Sequence, residues 1–200
     1  MAISAERREA RRRHLVEAGT ALIRENGSDG FSMLQLAERA GVSPATPYNL
    51  VGSKSELLRL IVADEFASFV HRLDALPPQS PLPHLLAAAQ AVVAHYTADP
   101  AFYRGLYRAA GGIEGGELRT LMQREGQQLW NRMVEAAFHS GELRPLIQPA
   151  ALTDILLRSI GANTEAWLAE QWTAEDFARE MALTCRLLLA GIATEPLTLR

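Results

Sequence analysis

The sequence predicts an all-α fold in which a short amino-terminal helix-turn-helix head precedes a longer helical body. Three observations predict it. Apolar residues recur at helical rather than alternating spacing along almost every segment, no run reads as a strand bounded by hairpin dipeptides, and proline- and glycine-rich breaks mark the junctions. With 200 residues, 48% hydrophobic and 22% charged, the chain is long enough to bury a real core as one or two domains.

A first helix is expected over 5–26, where Leu15, Ala18, Leu22 and Ile23 share a face and Gly27 ends the run. A second, over 31–40, has Ser32 as its cap, Met33, Leu36, Ala37 and Ala40 as its inner stripe, and Gly41 as a left-handed exit. The next stretch, GVSPATPYNLVGSK, holds two prolines three positions apart. Ser43 before Pro44 makes a good helix start, because the residue before proline is pushed out of the α region and a proline at the first helical position loses no hydrogen bond. Counted from there, Pro47 falls at the fourth position, where an interior proline costs about 3 kcal/mol. Thr46-Pro47 repeats the cap-plus-proline pattern, so the expectation is an irregular first turn with regular helix from near Thr46. Ser53-Lys54-Ser55-Glu56 is a capping box, opening a helix through Leu58, Ile61, Val62, Phe69 and Leu73 to the proline-rich break at 77–83. Further helices are expected at about 84–97, 100–110, 116–139, 149–170 and 174–193. Gly111, Gly112, Gly115 and Gly116 punctuate one junction, and Gly141 with Pro145 another.

A helix of about eight residues, a three-residue turn opening on glycine and a second short helix have the form of a helix-turn-helix. The run from Leu15 to Leu58 goes further. Ala18, Gly27, Gly30-Phe31, Leu36-Ala37, Ala40 to Ser43, Thr46, Tyr48, Lys54 and Leu57 resemble, in type and spacing, the DNA-binding domain of TetR-family transcriptional regulators. The resemblance covers about a quarter of the chain. It implies a three-helix DNA-binding domain over 1–52 and a helical effector-binding and dimerisation domain over 53–200. It also implies the contacts: Ala45 and Thr46 near base edges, Tyr48 and Lys54 on phosphates, Asn49 on either, with Ser32, Gln35 and Ser43 completing the DNA-facing set. By residue type alone, Tyr48 is equally a core aromatic, Ser32 a plain cap and Lys54 a solvated side chain. Leu50 stands where the family usually has an aromatic or histidine, and Val51 where it has phenylalanine, so a phosphate contact and some packing are expected to be lost.

Charge agrees with this placement. Residues 1–60 carry nine Lys/Arg against seven Asp/Glu, and residues 61–200 eleven against sixteen, which leaves the basic excess in the head. Arg7, Arg8, Arg11, Arg12 and Arg13 offer further phosphate contacts as an arm or first turn. Cys185 is the sole cysteine, which excludes an internal disulfide and a cysteine-based zinc site and fits a cytoplasmic protein. The first 25 residues carry arginines throughout, unlike a secretory signal, and the long uncharged stretch from Ala75 is broken by prolines, unlike a membrane span.

One recognition helix buries too little to select a site, so a homodimer on half-sites about 34 to 36 Å apart is expected. The last two helices are apolar over wide arcs: Leu152, Ile155, Leu156, Ser159, Ile160, Asn163 and Trp167 form one stripe with Leu157 and Leu168 off it. Phe177, Met181, Cys185, Leu188 and Ile192 form another, with Leu183, Leu187 and Ala190 beside it. Helices apolar over so wide an arc are expected to cover their own body and also a partner, two from each subunit making a four-helix interface with Gly161 permitting close crossing; the alternative is a fully internal helical hairpin. The family plan places an effector pocket in the body, and Phe69, Tyr96, Phe102, Tyr103, Tyr107, Met122, Trp130 and Met133 are candidate lining for an apolar ligand, though each is also an ordinary core residue type. Catalysis is not expected. The histidines at 14, 71, 84, 95 and 139 show no metal-ligand spacing, His95 with Asp99 on one helical face reads as a surface pair, GGIEGGE lacks the ending of a phosphate loop, and no cofactor or metal is implied. The function expected is a ligand-responsive transcriptional regulator, a repressor that binds a palindromic double-stranded DNA operator as a homodimer and is released by a small, largely apolar effector. The alternative is a helical small-molecule-binding or protein-interaction module whose helix-turn-helix no longer binds DNA.

Overall fold

The computed structural model describes residues 5–27, 31–110 and 115–197, without the side chains of 109–110, 115–119 and 121–123. Its elements are α1 (Ala5–Asn26), α2 (Met33–Arg39), α3 (Ala45–Leu50), α4 (Lys54–Asp74), α5 (Pro81–Thr97), α6 (Pro100–Ala110), α7 (Gly115–His139), α8 (Pro149–Leu168) and α9 (Ala174–Ala190). The all-α fold holds: the extended pairing among the described residues is one isolated antiparallel bridge, Leu143 with Ala193. Gly30, Gly111 and Gly112 lie outside the described residues.

Two boundaries lie about three residues from expectation for backbone reasons. α5 begins at Pro81 rather than near 84, because Pro81 and Pro83 both fall within the first turn, where amides have no partner in the helix and a missing N–H loses nothing. α9 stops at Ala190 because the chain beyond it turns to pair with the segment after α7. There the Arg144 amide donates to the Ile192 carbonyl at 2.7 Å and the Thr194 amide to the Glu142 carbonyl at 2.9 Å.

The contacts divide the chain into two compact units, Met1–Ala67 with Asp99–Met122, and Ser68–Ala98 with Gln123–Arg200. In the first, Leu15, Leu22 and Ile23 of α1, Leu36 and Ala37 of α2, and Leu57 and Ile61 of α4 are buried together with Phe102 and Leu106 of α6. α6 approaches α1 so closely that a Cβ on Gly105 would stand 2.9 Å from the Ile23 carbonyl oxygen. Beside that crossing the Arg24 guanidinium meets the Asp99 carboxylate at 2.6 Å, and Asp99 also accepts from the Phe102 amide at 3.2 Å, so one carboxylate caps α6 and ties it to α1.

In the second unit α5 and α8 both pack on α9. Leu82, Leu85, Ala88 and Val92 of α5, Leu152, Leu156, Ile160 and Trp167 of α8, and Phe177, Met181, Cys185 and Leu189 of α9 supply its core, and the Trp167 and Phe177 rings stack at 5.4 Å. Glu142 closes the start of α5: its carboxylate accepts from the Leu82 amide at 3.0 Å and from the Ser140 hydroxyl at 2.9 Å. Partial burial works against the charge, but hydrogen bonds from Ser80, the Leu82 amide and Ser140 outweigh it and hold the carboxyl below its ordinary value.

Two outcomes follow from these contacts. Gly105→Ala forces a Cβ against main chain, a strain of about 1–3 kcal/mol that outweighs the helix-propensity gain of about 0.5–1 kcal/mol, so its chemical-denaturation midpoint falls below that of the wild type. Glu142→Gln destabilises by roughly 1 kcal/mol at pH 7. Because the folded carboxyl titrates lower than the unfolded one, wild type and Glu142→Gln converge in stability as the pH drops below 4.5, which urea melts at stepped pH measure.

Candidate nucleic-acid interface

The helix-turn-helix is built from local hydrogen bonds. Ser32 takes extended backbone angles, its hydroxyl accepts from the Gln35 amide at 3.2 Å, and the Gln35 side-chain carbonyl accepts from the Ser32 amide at 2.6 Å. This capping box fixes the start of α2. At the other end Gly41 has φ +63, with its amide donating to the Glu38 carbonyl and the Val42 amide to the Ala37 carbonyl, the paired bonds of a Schellman turn. His14 of α1 reaches the Ala40 carbonyl at 3.2 Å, and Arg39 grips Glu25 with two contacts of 2.7 and 2.8 Å, so the end of α2 that opens the turn is tied back to α1 at two points.

The two prolines resolve by a shift of one position. Pro44 is the cap and Ala45 the first helical residue, which puts Pro47 third, inside the first turn, where its missing amide has no helical bond to lose. The Thr46 amide donates to the Ser43 carbonyl at 2.9 Å, three residues back, the tight irregular first turn that the repeated cap pattern implied, although the helix begins at Ala45 rather than Thr46. The Pro47 ring is buried, and its carbonyl accepts from the Val51 amide at 2.8 Å and the Gly52 amide at 3.2 Å.

Burying Pro47 turns the rest of α3 outward. Ser43, Ala45, Tyr48 and Asn49 are exposed and Thr46 is half-buried, with its hydroxyl 2.8 Å from that of Ser43. Tyr48 is 58% exposed and therefore not a core aromatic. Leu50 is half-buried and Val51 buried, so both departures from the family pattern are packing residues here. Ser53 caps α4 through its hydroxyl, which accepts from the Glu56 amide at 3.1 Å, and the Lys54 ammonium stands 4.6 Å from the centroid of the Phe31 ring. The arginines at 7, 8, 11 and 13 are exposed and Arg12 is half-buried, all within helical α1.

The candidate effector residues fall in both units. In the first, Phe102 and Tyr103 are buried with rings 5.0 Å apart, Tyr103 donates to Glu65, and Tyr107 is half-buried. In the second, Phe69, Trp130 and Met133 are buried and Tyr96 is half-buried. The side chain of Met122 lies outside the described residues. The sequence reading of His95 with Asp99 as a surface pair does not hold: His95 is buried and packs against Phe69 at 5.3 Å and Tyr96 at 5.7 Å. Burial, with a contribution from Arg72, pushes its pKa down to about 4, so the ring is neutral at pH 7. The signal was its place three residues after Val92 on the apolar face of α5.

The dimerisation set needs correction. Leu152, Leu156, Trp167, Phe177, Met181 and Cys185 lie inside the second unit's own core, because these are the faces by which α8 and α9 meet each other and α5. Asn163 is buried and donates to the Thr184 hydroxyl at 3.1 Å, and burial pushes the Cys185 thiol up to about 11. Leu188 is half-buried, and Leu189 takes the core position assigned to it, four residues after Cys185. Ile155 and Ser159 are half-buried. The apolar residues left outward include Leu183 and Leu187 on α9, the latter 54% exposed, and Ala151, Gly161 and Ala162 on α8.

Among the described residues no three His, Cys, Asp or Glu side chains cluster as a metal site, and no helix is long and apolar enough to cross a membrane. Residues 15–61 match the family model described as bacterial regulatory proteins, tetR family. The chain is 26% identical over 194 residues to the HTH-type transcriptional repressor KstR of Rhodococcus jostii, covering 97% of this chain and 90% of that protein. Among solved structures it resembles a TetR-family transcriptional regulator from Pectobacterium atrosepticum, with TM-score 0.80, 20% identity and coverage of 98% and 100% of the two chains. It also resembles FadR from Bacillus subtilis in complex with stearoyl-CoA, with TM-score 0.74, 16% identity and coverage of 90% and 98%.

Ser32→Ala removes the hydroxyl half of the capping box and lowers stability by about 1 kcal/mol, read as a lower urea midpoint at unchanged helical circular dichroism.

Proposed function

Because the chain belongs to the TetR family of transcriptional regulators, we propose that it is a cytoplasmic repressor that binds a palindromic operator as a homodimer and is released by a small, largely apolar effector. The observation that carries this reading is the exposed tip of α3. Tyr48 and Asn49 stand in solvent on a six-residue helix whose apolar side is already filled by Pro47, and Ala45 and Thr46 lie at its amino-terminal end. A short helix of that kind presents base-edge contacts from its first turn and a phosphate contact from the tyrosine hydroxyl. Ser32, Gln35 and Ser43 at the two helix starts, with Lys54 at the start of α4, complete the surface. Residues 1–52 act as the DNA reader, and 53–200 as the effector-binding and dimerisation domain.

Repression is supported by the likeness to KstR, named as a repressor, and ligand response by the likeness to FadR, whose structure holds stearoyl-CoA. In the second unit Phe69, Tyr96 and the neutral His95 form an aromatic cluster with two polar groups, the imidazole and the Tyr96 hydroxyl, chemistry that suits a mostly apolar ligand. Binding there favours a conformation in which the two readers no longer match the half-site spacing, and the operator is released. Leu183 and Leu187, with the small exposed residues of α8, form the interface between copies.

Mobility shift on the region upstream of the chain's own coding sequence tests the reader. Tyr48→Ala and Lys54→Ala each weaken binding about tenfold, and Lys54→Ala lowers the slope of log affinity against log salt by about 1. Binding that ignores both substitutions favours a helical binding module with an inactive head. Leu187→Glu converts the protein to a monomer in light scattering and abolishes the shifted band while helical content is retained; a dimer of undiminished affinity overturns the α8–α9 interface.

A further inference from the structure

We propose that Phe31 is a positioning residue for DNA binding, its ring holding the Lys54 ammonium ready for a phosphate of the bound duplex. The inference rests on the regulator reading above and adds a residue to it. Phe31 is 4% exposed, immediately precedes the Ser32 cap of α2, and turns a ring face to the charge at 4.6 Å, well inside the range of a cation–π contact. Lys54 is the first residue of α4, so this one contact joins the segment that opens α2 to the segment that opens α4. A lysine carries four flexible carbons, and fixing its head only when DNA arrives loses rotamer freedom at that moment. A ring that already restricts the ammonium removes much of that loss.

The choice of residue supports the same conclusion. Nineteen of the twenty basic side chains in the chain are arginine, and the exception is Lys54. A guanidinium lies flat along a ring and presents its donors in one plane, whereas an ammonium is compact, meets the ring from one side and still donates from the other. An ammonium therefore suits a position that must satisfy an aromatic face and a phosphate oxygen together.

A double-substitution cycle on duplex binding tests the idea. Phe31→Leu, which keeps apolar bulk and removes the π face, weakens binding about three- to tenfold in the wild-type background and changes nothing further in the Lys54→Ala background. Phe31→Trp, which keeps a π face, restores most of the affinity. An equal loss in both backgrounds means that Phe31 merely supports the fold and overturns the proposal, as does unchanged affinity in Phe31→Leu. Should Phe31→Leu fail to fold, the wild-type protein answers directly: with one lysine in the chain, lysine-selective isotope labelling gives a single side-chain signal. Ring-current displacement of its ε-protons from the free-lysine position supports the contact, and a signal at the free-lysine position refutes it. If wild-type protein shifts no duplex yet the displaced signal is present, the regulator reading fails and the positioning role falls with it, while the contact itself stands.

Discussion

The surface proposed to meet DNA depends on how a six-residue helix is kept in place. A helix of that length has no stability of its own in water, since nucleation is unfavourable and too few hydrogen bonds follow to offset it. α3 exists because its surroundings define it at both ends and along one side. The Schellman turn at Gly41 sets the direction of entry, the Thr46–Ser43 bond tightens the first turn, and the buried Pro47 ring anchors the inner face. Proline is well suited to this: its φ is preset, it has no amide to satisfy in the first turn, and its apolar ring packs inward. The polar residues at Ser43, Tyr48 and Asn49 can then stay outside without weakening the helix, because none of them is needed to hold it.

The same logic of a few anchoring contacts recurs where α6 meets α1. Asp99 caps α6 and pairs with Arg24, Gly105 removes the side chain that would have kept the helices apart, and Phe102 lies under the same guanidinium at 5.9 Å. Exposed ion pairs contribute little by themselves, but here the carboxylate also terminates a helix and the guanidinium also covers a ring. α6 accordingly belongs to the same compact unit as the reader, although a sequence boundary at 52 assigns it to the body.

Sequence reasoning located features governed by short-range rules. Helix periodicity, the caps at Ser32 and Ser53, the glycine exit at 41 and the strain posed by Pro47 were all legible, because each depends on residues within one or two turns. It failed where the answer depended on which of two apolar faces meets which neighbour. Phe177, Met181 and Cys185 read as one stripe of α9, but periodicity cannot say whether a stripe faces its own chain or another, and packing against α5 and α8 decided for the former. The extension of that stripe to Leu188 rather than Leu189 was a shift of one residue within the run Leu187-Leu188-Leu189, where the last turn of the helix is apolar over a wide arc. His95 reads as a surface residue for a related reason: a titratable residue on an apolar face carries no local mark of being buried deeply enough to stay neutral.

The pairing of Lys54 with Phe31 has a chemical corollary. Apart from the chain's amino terminus, Lys54 is the sole primary amine in 200 residues, and it is the first residue of α4, within the proposed DNA-binding surface. Acylation of lysine, whether enzymatic or by a laboratory reagent, therefore has one side-chain target, and neutralising it removes both the attraction to the aromatic face and the attraction to a polyanion. Amine-coupled immobilisation through this side chain blocks the proposed reader, whereas attachment through a tag at the carboxy terminus leaves it open.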